Sequence, residues 1–145
     1  MKTPWNPSKT ATARVKDPLP APTTCNCCGS PDVEIVNNSA IYNGKSYGDW
    51  PWAYYCVACD AYVGLHPFTA IPLGTLADQP TREARKKAKP YFEYLFKTKM
   101  LSRTEAYARL AQELGLSVSE CHFGLFTVEQ CAAVRPAVDR IREAL

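Results

Sequence analysis

Cys25-Asn26-Cys27-Cys28-Gly29 and Cys56-Val57-Ala58-Cys59 are the two stretches whose reading decides the fold. Each carries two cysteines with two residues between them, Cys25 with Cys28 and Cys56 with Cys59. That spacing lets one tight turn aim both sulfurs at a common point, and two such turns complete a tetrahedral set of four thiolates, which suits zinc. The 27 residues between the pairs leave room for the strands of a zinc ribbon. Gly29 follows the first pair, where a positive φ is often required. Cys27 competes for the first position, and the two-residue spacing favours Cys25. The expectation is one structural Zn²⁺ on Cys25, Cys28, Cys56 and Cys59.

Other uses of these cysteines fit less well. A thioredoxin-like redox centre needs one such pair beside a βαβ pattern, and this chain has two pairs and no such pattern. A rubredoxin-like iron site is chemically possible, but Asp60 stands where those proteins usually carry glycine. An open catalytic zinc would have three protein ligands and water, and four thiolates leave no open position. Of the remaining cysteines, Cys131 falls on an apolar helix face and reads as core. Cys121-His122 together with His66 is a possible secondary metal site. Adjacent residues chelate one ion poorly, so the two histidines are expected instead to satisfy buried hydrogen bonds where ribbon and helices meet.

Working outward, the fold class reads as α+β: a zinc-ribbon-like β module followed by a C-terminal helical region, as one compact domain. Residues 1–22 hold five prolines among Ser, Thr and Lys. Such a composition buries too little apolar surface to offset ordering entropy, which predicts a flexible basic tail. Residues 23–77 form the cysteine module, with strands at Val33–Val36, Trp52–Cys56 and Ala61–Leu65. Asn43-Gly44 within residues 41–47 predicts a type I′ hairpin. Residues 67–77, with Pro67, Pro72 and Gly74, read as a loop crossing the surface.

Residues 78–145 read as helices packed on the ribbon. The first should run from about Asp78 to Lys99, kinked or split at Pro90. Ser102-Arg103-Thr104-Glu105 is a capping box that opens the next, and Gly115 is its stop. Ser117-Val118-Ser119-Glu120 is a second box, for at most a short turn. Thr127-Val128-Glu129-Gln130 opens the last helix, which places Val128, Cys131, Val134, Val138, Ile141 and Leu145 on one face.

Charge is unevenly distributed. Residues 82–103 carry eight basic and two acidic side chains, whereas residues 21–81 carry one basic and five acidic. Four thiolates on one Zn²⁺ make the cysteine module more anionic still. No apolar run approaches the roughly 18 residues that span a bilayer, and residues 1–22 contain no signal-like apolar stretch. The expectation is therefore a cytoplasmic protein without a membrane partner. There seven cysteines point to metal rather than disulfides, because the cytosol keeps thiols reduced.

The chain contains no phosphate loop, nucleophile elbow or H-E-x-x-H helix, and its carboxylates are scattered. A non-enzymatic protein is expected, although a Cys–His nucleophile from Cys27 or Cys121 stays open. Arg82, Arg85, Lys86, Lys87, Lys89, Lys97 and Lys99, with Arg103, concentrate cations around one helix and could neutralise phosphates of DNA or RNA. Tyr42, Tyr47, Trp50, Trp52, Tyr54 and Tyr55 could stack on bases, but they lie in the anionic module. A protein partner is the alternative, since Tyr and Trp are enriched where interfaces concentrate their energy.

Four segments carry a resemblance: residues 25–29, residues 59–66, Pro72-Leu73-Gly74-Thr75-Leu76-Ala77, and Cys121-His122-Phe123-Gly124-Leu125-Phe126. Together with Arg82–Ala88, Ser102–Leu116 and Glu129-Gln130-Cys131, they make residues 24–135 resemble the zinc-finger-containing domain family of small bacterial and bacteriophage proteins. The resemblance implies metal binding by the four knuckle cysteines and a phage or prophage origin. It implies no particular activity, and a host protein becomes the natural form of the alternative partner.

Overall fold

The computed structural model describes residues 2–145 and divides into two compact units, Met1–Asp78 and Gln79–Leu145. The first holds a three-stranded antiparallel sheet in the order β1 (Val33–Asn37), β2 (Trp52–Cys56), β3 (Tyr62–Gly64). The second is helical. This is the expected α+β class, a cysteine-bearing β module followed by helices. Among the described residues no helix is long and apolar enough to cross a membrane.

In the first unit the register does the positioning. Val33 lies opposite Cys56 and Asn37 opposite Trp52. The Val57 amide extends the ladder by donating to the Asp32 carbonyl at 3.0 Å. The chain leaving the first knuckle therefore runs beside the residues entering the second, and both knuckles sit at one end of the sheet. β2 is central, with Ala53, Tyr54 and Cys56 buried. Its core is small: Cys25, Tyr54, Cys56, Ala61, Leu65 and Leu76.

Three expectations for this unit are corrected. Asn43 and Gly44 do take positive φ, 54° and 87°, and the Lys45 amide bonds the Tyr42 carbonyl. No hairpin flanks that turn, however. Asn37 caps a 3₁₀ turn at Asn38–Ala40, and the Asn38 side chain donates to the Tyr47 carbonyl and accepts from its amide. One amide side chain thus satisfies the groups a partner strand would have used. Residues 67–77, expected on the surface, instead fold back along β3 through bridges of Leu65 to Pro72 and Tyr62 to Ala77. Thr69 and Leu76 are fully buried there. The carbonyls of Thr69 and Ala70 accept from the Trp50 indole and the Tyr54 hydroxyl. Finally, where a flexible tail is expected, Ser8 caps a helix α1 (Lys9–Arg14). The Ser8 amide bonds the Phe68 carbonyl, and the Trp5 ring meets Trp52 edge-on at 5.3 Å. One local cap, one long-range backbone hydrogen bond and one aromatic anchor hold a segment that composition alone marks as unstructured.

The second unit comprises α2 (Gln79–Lys97), α3 (Arg103–Leu114) and α4 (Val128–Glu143). Pro90 does not split α2: it sits on the exposed side, where water can take the carbonyl its missing N–H leaves free. Ser102 caps α3 by accepting from the Glu105 amide, and Gly115 ends it at φ 69° with its N–H on the Ala111 and Gln112 carbonyls. Thr127 and Gln130 form a complete reciprocal capping box for α4. The core centres on Phe92, Leu95, Leu110, Phe126, Val134 and Val138. Cys131 belongs to it as expected, but Val128 and Leu145, the ends of the anticipated apolar face, are exposed.

Candidate metal centre

Both knuckles are built the same way. The Cys25 amide donates to the Ser30 carbonyl and the Gly29 amide to the Cys25 carbonyl, each at 2.8 Å. In the second, Cys56 donates to Ala61 at 2.8 Å and Asp60 to Cys56 at 2.9 Å. The residue after each pair turns left-handed, Gly29 at φ 78° and Asp60 at φ 64°. Aspartate tolerates that conformation better than most residues, and the Tyr55 hydroxyl donates to its carboxylate.

The result brings the sulfurs of Cys25, Cys28, Cys56 and Cys59 within 4.8 Å of one another. Cys25 to Cys59 and Cys28 to Cys56 are each 3.6 Å across. A tetrahedron with Zn–S bonds of about 2.3 Å has edges of about 3.8 Å, so the four sulfurs fit one zinc ion. Cys27 stands outside the set. Its amide points at the Cys25 sulfur (3.4 Å), and its own sulfur lies 3.5 Å from the Leu76 carbonyl. Asn26 donates to that same carbonyl at 2.8 Å, which ties the knuckle to the folded-back loop.

The electrostatics suit a divalent cation. Burial raises the Cys25 pKa, but the amides of Cys28 and Cys27 and the thiols of Cys59 and Cys56 outweigh it and bring the group down to about 7. Cys59 is pushed up to about 12, by burial first and then by the neighbouring thiols, against the Ala61 amide. Sulfurs this close cannot all be anionic on their own, and a bound Zn²⁺ supplies the charge that lets all four ionise. The site is closed by four protein thiolates, so its role is structural.

Of the residues expected at a secondary site, His66 lies in the first unit and Cys121 and His122 in the second. Cys121 is fully buried, His122 is exposed and His66 half-buried. The His122 ring lies 6.3 Å from Tyr107 rather than in a buried hydrogen-bond network. Among the described residues, only the four knuckle cysteines gather metal-ligating atoms.

The cationic residues of α2 are sorted by the fold. Arg82, Lys86, Lys89 and Lys97 recur along one helix face, with Lys86, Lys89 and Lys97 exposed and Lys97 3.6 Å from Glu93. Arg85 leaves that face: its Nε donates to the Phe126 carbonyl at 2.9 Å. Arg103 lies over the rings of Tyr107 and Phe96. Lys87 turns toward α4. Of the module's aromatics, Tyr54 is buried and Trp50 is committed to Thr69, while Tyr42 and Tyr47 stay exposed with ring centroids 5.2 Å apart.

A family model described as a zinc-finger-containing domain matches residues 21–141. Neither a curated protein nor a solved structure matches the chain.

Proposed function

We propose, from the premise that this chain belongs to the zinc-finger-containing domain family, that it is a non-enzymatic binding protein whose cationic helix α2 contacts nucleic acid. Zinc organises the first unit, and four thiolates leave the metal no position for substrate. The observation that carries the reading is the exposed face of α2, where Lys86, Lys89 and Lys97 project into solvent along one line. Such a row neutralises phosphates and releases condensed counterions. The thiolate ligands all belong to the first unit and α2 to the second.

The test is anisotropy titration of labelled DNA and RNA at two salt concentrations. Three lysine–phosphate contacts give a log–log salt slope of about −2 to −3. Lys86→Glu with Lys89→Glu should weaken the binding strongly, because two attractive contacts become repulsive. Binding that is insensitive to salt and to this double substitution would overturn the reading. Absence of any binding at low salt would favour a protein partner, for which the exposed Tyr42 and Tyr47 pair is the prime contact.

A further inference from the structure

The groove between α2 and α4 is not explained by the cationic face. On α2, Ala84, Lys87, Tyr91 and Tyr94 form one stripe; on α4, Val128, Ala132, Arg135, Asp139 and Arg142 form another. Three open hollows join along these stripes. The first, about 360 Å³, is lined by Lys87, Tyr91 and Arg135 among others. The second, about 480 Å³, shares Lys87 and Tyr91 with it and adds Tyr94 and Arg142. The third, about 630 Å³, shares Arg142 and reaches Met100 and Leu145. From Ala84 to Tyr94 the groove is about 15 Å long, at about 1.5 Å of helix rise per residue.

Its chemistry is specific. The Arg135 guanidinium lies 5.2 Å from the Tyr91 ring centre, and Arg142 lies 5.2 Å from that of Tyr94. The Tyr91 hydroxyl donates to Asp139 at 2.5 Å. One face of each ring is thus covered by a guanidinium from the opposite helix, which leaves the other face as the one a base would meet, and Tyr94 remains 46% exposed. A guanidinium over a ring uses its flat face and none of its five N–H donors. Lys87, Arg135 and Arg142 are all exposed along the groove.

We propose that this groove holds a single strand of nucleic acid, with bases against Tyr91 and Tyr94 and phosphates on Lys87, Arg135 and Arg142. The proposal rests on the nucleic-acid reading above and names the form of the ligand. Alternating aromatic platforms and cations are what an unpaired strand can use, since every base has a flat π face and the backbone runs alongside. A duplex hides its base faces and would leave both tyrosines idle. An acidic peptide would match the cations but has no row of flat rings to set on the tyrosines.

The experiment compares oligo(dT) with a duplex of the same length, by anisotropy on the full chain. Wild type should prefer the single strand. Tyr94→Ala removes an exposed ring and no core contact, and unchanged helical circular dichroism verifies its fold. It should weaken oligo(dT) binding roughly 5- to 100-fold and leave duplex binding unaltered. Arg135→Ala should weaken the single strand as well, whereas Lys86→Glu with Lys89→Glu should weaken both ligands. If Tyr94→Ala and Arg135→Ala bind oligo(dT) like wild type while the lysine variant does not, the groove proposal is overturned and the cationic-face reading stands. Failure of wild type to bind either nucleic acid overturns both. Binding of a polyglutamate peptide that Arg135→Ala abolishes and oligo(dT) does not displace overturns the proposal in favour of an acidic peptide.

Discussion

Replacing Cys56 with serine should unfold the first unit while leaving the helices of the second in place. Cys56 is fully buried and supplies a zinc ligand from the end of the central strand. The core there contains six buried residues, of which Cys25 and Cys56 are themselves ligands. Once the metal is lost the sheet rests on Tyr54, Ala61, Leu65 and Leu76, with the half-buried Val33, Ile35, Trp50, Trp52 and Val63 packed around them. A structural zinc contributes about 10–16 kcal/mol of binding free energy in zinc-finger peptides. Removing one of four ligands forfeits on the order of a quarter of that, about 3–4 kcal/mol. A unit of this size has about 4–10 kcal/mol of stability in all, so the substitution consumes much or most of it. The readout is unusually clean. All three tryptophans, Trp5, Trp50 and Trp52, lie in the first unit, whereas the three long helices lie in the second. Cys56→Ser, or chelation of the wild-type metal, should shift tryptophan emission to the red and lower the zinc content, with most helical circular dichroism retained. A Cys56→Ser protein with one zinc per chain and native tryptophan emission would refute the reasoning.

Three further predictions concern the helical unit. Phe92 is fully buried and its ring contacts Phe96, Tyr107 and Phe123, so Phe92→Ala should cost about 3–5 kcal/mol, measured by urea denaturation followed at 222 nm. Thr127→Ala breaks a reciprocal capping box and should cost about 1 kcal/mol in the same assay, with Thr127→Ser largely restoring it. Burial pushes the Cys121 thiol up to about 11 from 9.0. The unfolded chain therefore releases this proton first, so the stability it lends is full below pH 9 and is lost as pH rises toward 11. The helical melting temperature should fall more steeply over that window in wild type than in Cys121→Ala, and parallel profiles would refute the assignment.

Much of the centre was legible in the chain because its determinants are local. A C-x-x-C pair and the left-handed residue after it complete their hydrogen bonds within five or six residues, as Cys25 to Ser30 and Cys56 to Ala61 show. The caps at Ser102, Gly115 and Thr127 are local for the same reason. Even the Asn43-Gly44 turn angles were readable, since only those two residues had to adopt positive φ.

What depended on distant neighbours was not legible. The Asn43-Gly44 hairpin failed because the Asn38 side chain reached the Tyr47 backbone first. The tail acquired structure because Trp5 found Trp52 and Ser8 found Phe68. Arg85 left the cationic row because α2 packs where the Phe126 carbonyl needs a donor. Composition and periodicity record which side chains a segment carries, and by themselves they determined the metal ligands, the helix ends and the charge of α2. Which face of α2 stays in solvent, and that Tyr91 and Tyr94 meet Arg135 and Arg142 across a groove, were decided only by tertiary structure, because burial and ring contacts are set by residues some forty to fifty positions away in the chain.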